Sequence, residues 1–259
     1  MNPVLRKQIR TKNSIHLVSS ITMTKKNYDS NRNIIGFIFI SLILFIIISV
    51  GFFPLVLYLY LVRNLLVFDD LLYWFFLPGL IYIGMVVTLV SEILISGFFI
   101  WVFRIRYEPG VYEYHYRNKN TFKWILICSL YTPFRKLMEI FPVGPIKNIY
   151  YKMLGMSIGA NTLVGGVIKD PCITSFGCNT TMGEYAIIYG HITDYNSGKI
   201  LIKPVQIGNN CVIGAGAIIM PGVIIEDDVV VAAGAVVTQN KRLKRNRIYA
   251  GIPAKSIHS

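Results

Sequence analysis

The sequence predicts a mainly β C-terminal domain, a parallel β-helix of hexapeptide repeats, preceded by two transmembrane α-helices and an interfacial helical linker. Three observations predict it. An aliphatic residue returns every six positions beyond residue 157, two long and nearly uncharged runs occupy residues 34–103, and an aromatic, cationic stretch joins the two regions.

The apolar runs come first in the chain. Of the 259 residues, 54% are hydrophobic and 15% charged, with a mean hydropathy of +0.53, which is too apolar for an ordinary soluble domain of this size. Residues 34–62 carry no charge, and about 20 helical residues already cross a hydrocarbon core roughly 30 Å thick. A second run, 71–103, is broken only by Pro78 and Glu92. Glu92 in such a span would cost roughly 2.5–3.5 kcal/mol at the bilayer centre. That calls either for a place near the interface or a helix contact, or for a functional role. The net charge of +13 is distributed as a membrane protein would distribute it: Arg6, Lys7, Arg10, Lys12, Lys25, Lys26 and Arg32 precede the first run, and nine more cations lie between Arg104 and Lys152. This pattern argues against a nucleic-acid groove. By the positive-inside rule it predicts a cell-membrane protein with two spans, both ends and the C-terminal domain being cytoplasmic. Met23 is an alternative start, and no cleavable signal peptide is predicted.

The organisation expected is a basic N-terminal segment (1–33), a transmembrane hairpin (34–103), an interfacial linker (104–156) and the repeat domain (157–259). The linker mixes Tyr112, Tyr114, Tyr116, Trp124, Tyr131, Tyr150 and Tyr151 with cations, the composition of a headgroup-level segment. Residues 121–141 suit an amphipathic helix, in the membrane plane or packed on the C-terminal domain, with Pro133 expected to kink or break it.

The repeat reads Ile158, Val164, Phe176, Met182, Ile188, then Leu201, Ile207, Ile213, Ile219, Ile225, Val231 and Val237, with Asp170 alone breaking the first run. The next position is often Gly (159, 165, 177, 183, 208, 214), read as a turn needing unusual φ. The fifth is small or β-branched, as at Thr162, Thr180, Cys211 and Ala217. A period of six suits neither a helix nor a plain strand, and predicts short strands joined by corners, three to a coil and about four coils in all. Between Ile188 and Leu201 the phase slips by one, and the polar, turn-rich HITDYNSGKI is expected to leave the prism as a loop, a common place for function. Cys128, Cys172, Cys178 and Cys211 show neither metal spacing nor a disulfide framework, and packing is the reading for Cys178 and Cys211.

Residues 207–238, IGNNCVIGAGAIIMPGVIIEDDVVVAAGAVVT, followed by YAGIPAK, resemble the hexapeptide-repeat acyltransferases, especially their xenobiotic and sugar O-acetyltransferase branch, over about residues 153–257. The resemblance implies a left-handed β-helix acting as a homotrimer, although general crossover rules favour the opposite hand. It implies acetyl-CoA, or another acyl-CoA, as co-substrate and no metal. It places a catalytic histidine at His191, while His16, His115 and His258 lie outside the prism. A near-neutral imidazole suits removal of the acceptor's proton as it attacks the thioester. Tyr189, Asp194, Tyr195 and Asn196 become candidates to bind the acceptor or orient the imidazole, with Glu184 a weaker orienter. Ala215, Ala233, Thr238 and Lys255 take the positions that meet acyl-CoA. Gln239 departs from the lysine often found there, and Lys241, Arg242, Lys244, Arg245 and Arg247 are either substitutes for it or a solvated basic loop.

A γ-class carbonic anhydrase resembles such a prism but needs three histidines around zinc, and this prism has one. The function expected is a membrane-anchored acyltransferase, with acetyl as the default group. Its acceptor would be a hydroxyl or amine of a membrane-associated sugar, glycan precursor or lipid headgroup. Two alternatives stand beside it: a catalytically silent trimeric scaffold at the membrane, and a tethered enzyme acting on a small soluble or carrier-bound acceptor.

Overall fold

The computed structural model describes residues 30–65, 70–140 and 144–257. Most of the basic N-terminal segment, with His16 and Met23, lies outside the described residues, as does His258.

The first apolar run forms two helices, α1 (Ser30–Gly51) and α2 (Phe53–Leu65). The break has a cause in Pro54, which has no N–H to give to the carbonyl four residues back. The second run is one helix, α3 (Asp70–Val102), that accommodates Pro78. Segments Ile34–Asn64 and Trp74–Val102 are long and apolar enough to cross a membrane. They join through Tyr58 Oη, which donates to the Leu80 carbonyl at 2.8 Å, and Ser91 Oγ, which donates to the Gly51 carbonyl at 2.6 Å.

The linker is a packed structure of strand β1 (Gly110–Glu113) and helices α4 (Lys119–Ile140) and α5 (Gly144–Met153). Asn118 caps α4, its Oδ1 accepting the N–H groups of Asn120 and Thr121 at 3.0 and 3.2 Å. The helix is continuous through Pro133. Trp124, Ile127, Leu130, Tyr131 and Phe134 make its buried stripe, at i, i+3 and i+4 spacing. Tyr131, Tyr150 and Tyr151 are fully buried, their hydroxyls meeting protein partners: Tyr131 Oη donates to the Ile168 carbonyl at 2.6 Å and Ser96 Oγ to Tyr150 Oη at 3.2 Å.

From Ser157 the chain winds as a three-faced parallel β-helix. The first face stacks β2 (Ser157–Ile158), β5 (Thr174–Phe176), β10 (Val205–Ile207), β13 (Ile224–Ile225) and β16 (Arg242–Leu243). The second stacks β3 (Leu163–Val164), β6 (Thr181–Met182), β11 (Val212–Ile213), β14 (Val230–Val231) and β17 (Ile248–Ala250), closed by antiparallel β18 (Lys255–Ile257). The third stacks β4 (Val167–Ile168), β7 (Ile187–Ile188), β12 (Ile218–Ile219) and β15 (Val236–Val237). The inward columns, such as Ile168, Ile188, Ile219 and Val237, are wholly buried.

Two details of the repeat differ from expectation. Ile168, not residue 170, fills the third slot of the first coil, pairing with Ile188, so Asp170 moves to the corner beyond. Leu201 is not a repeat residue either, and the prism resumes at Val205. The glycines at position two also serve another purpose. A Cβ on Gly177 would lie 2.6 Å from Gly208 C, and one on Gly183 2.7 Å from Ala215 N, so they allow coils to approach. Positive φ falls two residues later instead, at Asn161, Asn179, Asn210, Asp228 and Asn246, all between 54° and 57°. There the short polar side chains tolerate the left-handed region and ladder onward. Asn179 Nδ2 donates to Asn210 Oδ1 at 3.3 Å, and Asn210 Nδ2 to Asp228 Oδ1 at 3.1 Å.

Candidate active site

The segment 191–202 is a hairpin, not an irregular loop. Strands β8 (His191–Asp194) and β9 (Lys199–Ile202) pair antiparallel, and β1 adds a third strand, Gly110 opposite Ile202 and Glu113 opposite Lys199. Its feet are joined by Lys203 N, which donates to the Gly190 carbonyl at 2.8 Å. Alternate residues Ile200 and Ile202 are fully buried, which fixes the register and with it the setting of His191.

The shortened first coil puts Asp170 beside Gly190, where even a Cβ would come within 2.7 Å of Asp170 Cβ. Asp170 is fully buried, so its carboxylate can persist only if its oxygens are hydrogen-bonded. Oδ1 accepts Tyr107 O–H at 2.8 Å and Trp124 Nε1–H at 3.1 Å. Oδ2 accepts Gly190 N–H at 2.8 Å and lies 2.7 Å from His191 Nδ1. An ionised carboxylate only accepts, so the contact places a proton on Nδ1, and in the neutral ring Nε2 then carries the lone pair. Burial, and then the charge of Asp170, push the Tyr107 phenol well above its usual range and keep it a donor.

The imidazole is held by rings as well. Trp124 meets it edge-on with centroids 4.7 Å apart, and Tyr189 lies at 6.4 Å. The His191 side chain keeps 19% of its surface exposed, whereas that of Asp170 is fully buried. An aromatic row continues outward through Tyr114, 6.1 Å from Trp124, to Tyr195 at 5.8 Å.

Of the sequence-predicted residues, Tyr189 is brought to His191. Asp194, Tyr195 and Asn196 lie at the hairpin tip, where Asn196 N–H donates to Asp194 Oδ1 at 2.9 Å. Hydrogen bonds from Ser197 and Asn196 hold the Asp194 carboxyl below its ordinary value. Glu184 sits exposed at another corner, its carbonyl accepting Gly216 N–H at 3.0 Å. The orienting partner of His191 is Asp170, with Tyr107 and Trp124 behind it; only the interruption at residue 170 signalled any of them.

Ala215 and Ala233 are exposed and stacked at the corner between the second and third faces, Gly234 N–H donating to the Ala215 carbonyl at 2.9 Å. Thr238 follows β15 at the opposite corner of the third face, in the column that runs through Lys169, Tyr189 and Met220. Lys255 opens β18, opposite Ala250. Part of the basic loop is already engaged, Arg242 Nε lying 2.6 Å from Glu226 Oε1 and Arg245 3.7 Å from Asp228. Cys211, buried with its Sγ 3.1 Å from the Glu226 carbonyl, packs as expected, and Cys172 is pushed up to about 11 by burial, but Cys178 is exposed, so the packing reading fails for it. Among the described residues no cluster of His, Cys, Asp and Glu has the make-up of a metal site.

A family model described as the hexapeptide repeat of succinyl-transferase matches residues 204–239. A comparison with curated proteins finds no match. Among solved structures, the chain is similar to a maltose O-acetyltransferase from Clostridium difficile 630, with 25% identity and a TM-score of 0.38 over 48% of this chain and 82% of that one. It is also similar to a galactoside acetyltransferase in complex with coenzyme A (22%, 0.37, over 48% and 77%) and to a hexapeptide-repeat-containing acetyltransferase from Vibrio cholerae (17%, 0.39, over 53% and 92%). The C-terminal domain is a hexapeptide-repeat β-helix, and its coils at residues 204–239 carry the repeat of the succinyl-transferase model.

Proposed function

We propose that the chain is a membrane-anchored, acyl-CoA-dependent acyltransferase, with acetyl the default group. Its acceptor is the hydroxyl or amine of a membrane-associated sugar, glycan precursor or lipid headgroup. The observation that carries this reading is the 2.7 Å contact of Asp170 Oδ2 with His191 Nδ1 at the foot of a hairpin, which supports Nε2 acting as the base. Nε2 takes the proton of the acceptor as its oxygen or nitrogen attacks the thioester carbonyl, and Asp170 stabilises the imidazolium that forms. The tetrahedral intermediate collapses, the carbon–sulfur bond breaks, and the imidazolium returns its proton to the departing thiolate. No acyl-enzyme is required. Ala215 and Ala233 present backbone amides to the pantetheine arm, Thr238 and Lys255 meet the nucleotide end, and Tyr189 lines the acceptor side. A homotrimer would complete such sites between copies. The two apolar segments support a lipid-associated acceptor, and the cations that flank them support a cytoplasmic catalytic domain.

Mass spectrometry of lipid and glycan extracts from cells carrying wild type or His191→Ala tests the reading. One species should lose an acyl mass in the variant, which lacks a base worth roughly 10²–10⁴ in rate. Identical extracts would count against a lipid or glycan acceptor.

A further inference from the structure

The helical hairpin bears an open apolar groove of about 700 Å³ along α2 and α3, with α4 at one end. Leu77 and Glu92, both lining it, are fifteen residues apart on α3, so it runs about 22 Å at 1.5 Å per residue. Its lining is almost wholly hydrocarbon: Phe52, Leu55, Leu80 and Phe134 are typical. The polar groups along it are mostly engaged with backbone, Tyr58 Oη on Leu80 O and Thr88 Oγ1 on Gly84 O. Glu92 is the exception. It is 5% exposed, and neither carboxyl oxygen has a hydrogen-bond partner among the described residues. The carboxyl lies against Gly51, whose lack of a side chain makes the room. A buried acid without a partner is expensive wherever it sits, and most of all in a hydrocarbon environment.

We propose that this groove binds a single hydrocarbon chain of a membrane lipid that carries a hydroxyl or amine, which donates to Glu92. The chain chemistry follows from the lining and the donor from the acid, and the proposal rests on the membrane reading of the hairpin. Deepening the proposed function, the site would seat the acceptor's tail. The helix that closes it at Phe134 also carries Trp124 to Asp170, ten residues or about 15 Å along α4.

The test uses the full chain in phosphatidylcholine nanodiscs with two photoreactive probes, a diazirine-bearing octadecanol and its methyl ether, in which a methyl group replaces the donor hydrogen. The alcohol should label α2 and α3 roughly fivefold to tenfold more than the ether, the worth of one hydrogen bond. Glu92→Leu should erase the preference, and Leu80→Trp should reduce labelling by both probes. Equal labelling by alcohol and ether in wild type overturns the proposal without relying on a variant that misfolds. Labelling needs no catalysis, so His191→Ala should bind as wild type does. Preference for the alcohol together with identical extracts from wild-type and His191→Ala cells would leave this site standing and sink the lipid- or glycan-acceptor reading instead.

Discussion

Asp170→Asn keeps the side chain's shape and removes one acceptor from a group with four donors around it. The amide has two settings. With its carbonyl towards Tyr107 and Trp124, its NH₂ meets Gly190 N–H, donor against donor, and turns His191 Nδ1 into an acceptor. The proton then sits on Nε2 and the base is gone. With the carbonyl towards Gly190 and His191, the NH₂ meets Tyr107, whose hydroxyl can rotate to accept, and Trp124, whose indole N–H can only donate. Either setting strands one buried donor, at about 1–3 kcal/mol of stability. Loss of the charge opposite the imidazolium removes about 1.5–3 kcal/mol from the transition state, roughly 10- to 150-fold in rate. Adding Trp124→Phe deletes the stranded donor of the second setting, so the double variant should be about 1–2 kcal/mol more stable than the two single losses added together. Thermal midpoints in detergent resolve this, at roughly 2–4 °C per kcal/mol for a chain of this size. Thiol release from acetyl-CoA in the presence of the acceptor reads the rate. Additivity within about 0.5 kcal/mol, or a single variant with undiminished release, would refute the account.

Gly177→Ala should cost about 1–3 kcal/mol because its Cβ would meet the next coil at 2.6 Å, and Asn there should be worse. At Gly216, with φ of 68° and its nearest atom 4.0 Å away, the order should reverse, Asn being better tolerated than Ala; thermal midpoints of the four variants decide. Glu226 is held down to about 2 from 4.5, first by the Arg242 hydrogen bond and then by Arg245 N–H. A depressed folded-state value gives stability that is present above pH 4.5 and lost as pH falls towards 2. The midpoint of Glu226→Gln should therefore vary less than wild type across that window, and equal slopes would remove Glu226 from the acid response.

The β-helix was legible because its period is local: each unit of six announces itself without reference to the rest of the chain. The role of Asp170 was not. Its break in the pattern was plain, but Tyr107 and Trp124 stand 63 and 46 residues away, and no local feature ties them to a corner of the first coil. The hairpin at His191 was visible only as a polar interruption, since the strand that completes its sheet, Gly110–Glu113, lies some eighty residues earlier. Tyr131, Tyr150 and Tyr151 suited an interface by composition, yet composition does not distinguish a headgroup from a buried protein partner. The position-two glycines were misread because glycine serves both close approach and positive φ, and only the stacking of coils says which.

Two of the four donors on Asp170 come from residues 107 and 124, so there is no seam at which the β-helix can be cut free. A chain starting at Met156 would keep every repeat. It would also lose half the support of its buried carboxylate and the edge strand that steadies the hairpin, and bare the wall on which Tyr131 and Tyr151 lie. Proteolytic shedding would then disable the domain rather than liberate it. The linker from Tyr107 onward is a buttress built into the prism, and attempts to obtain a soluble fragment should start no later than Arg106.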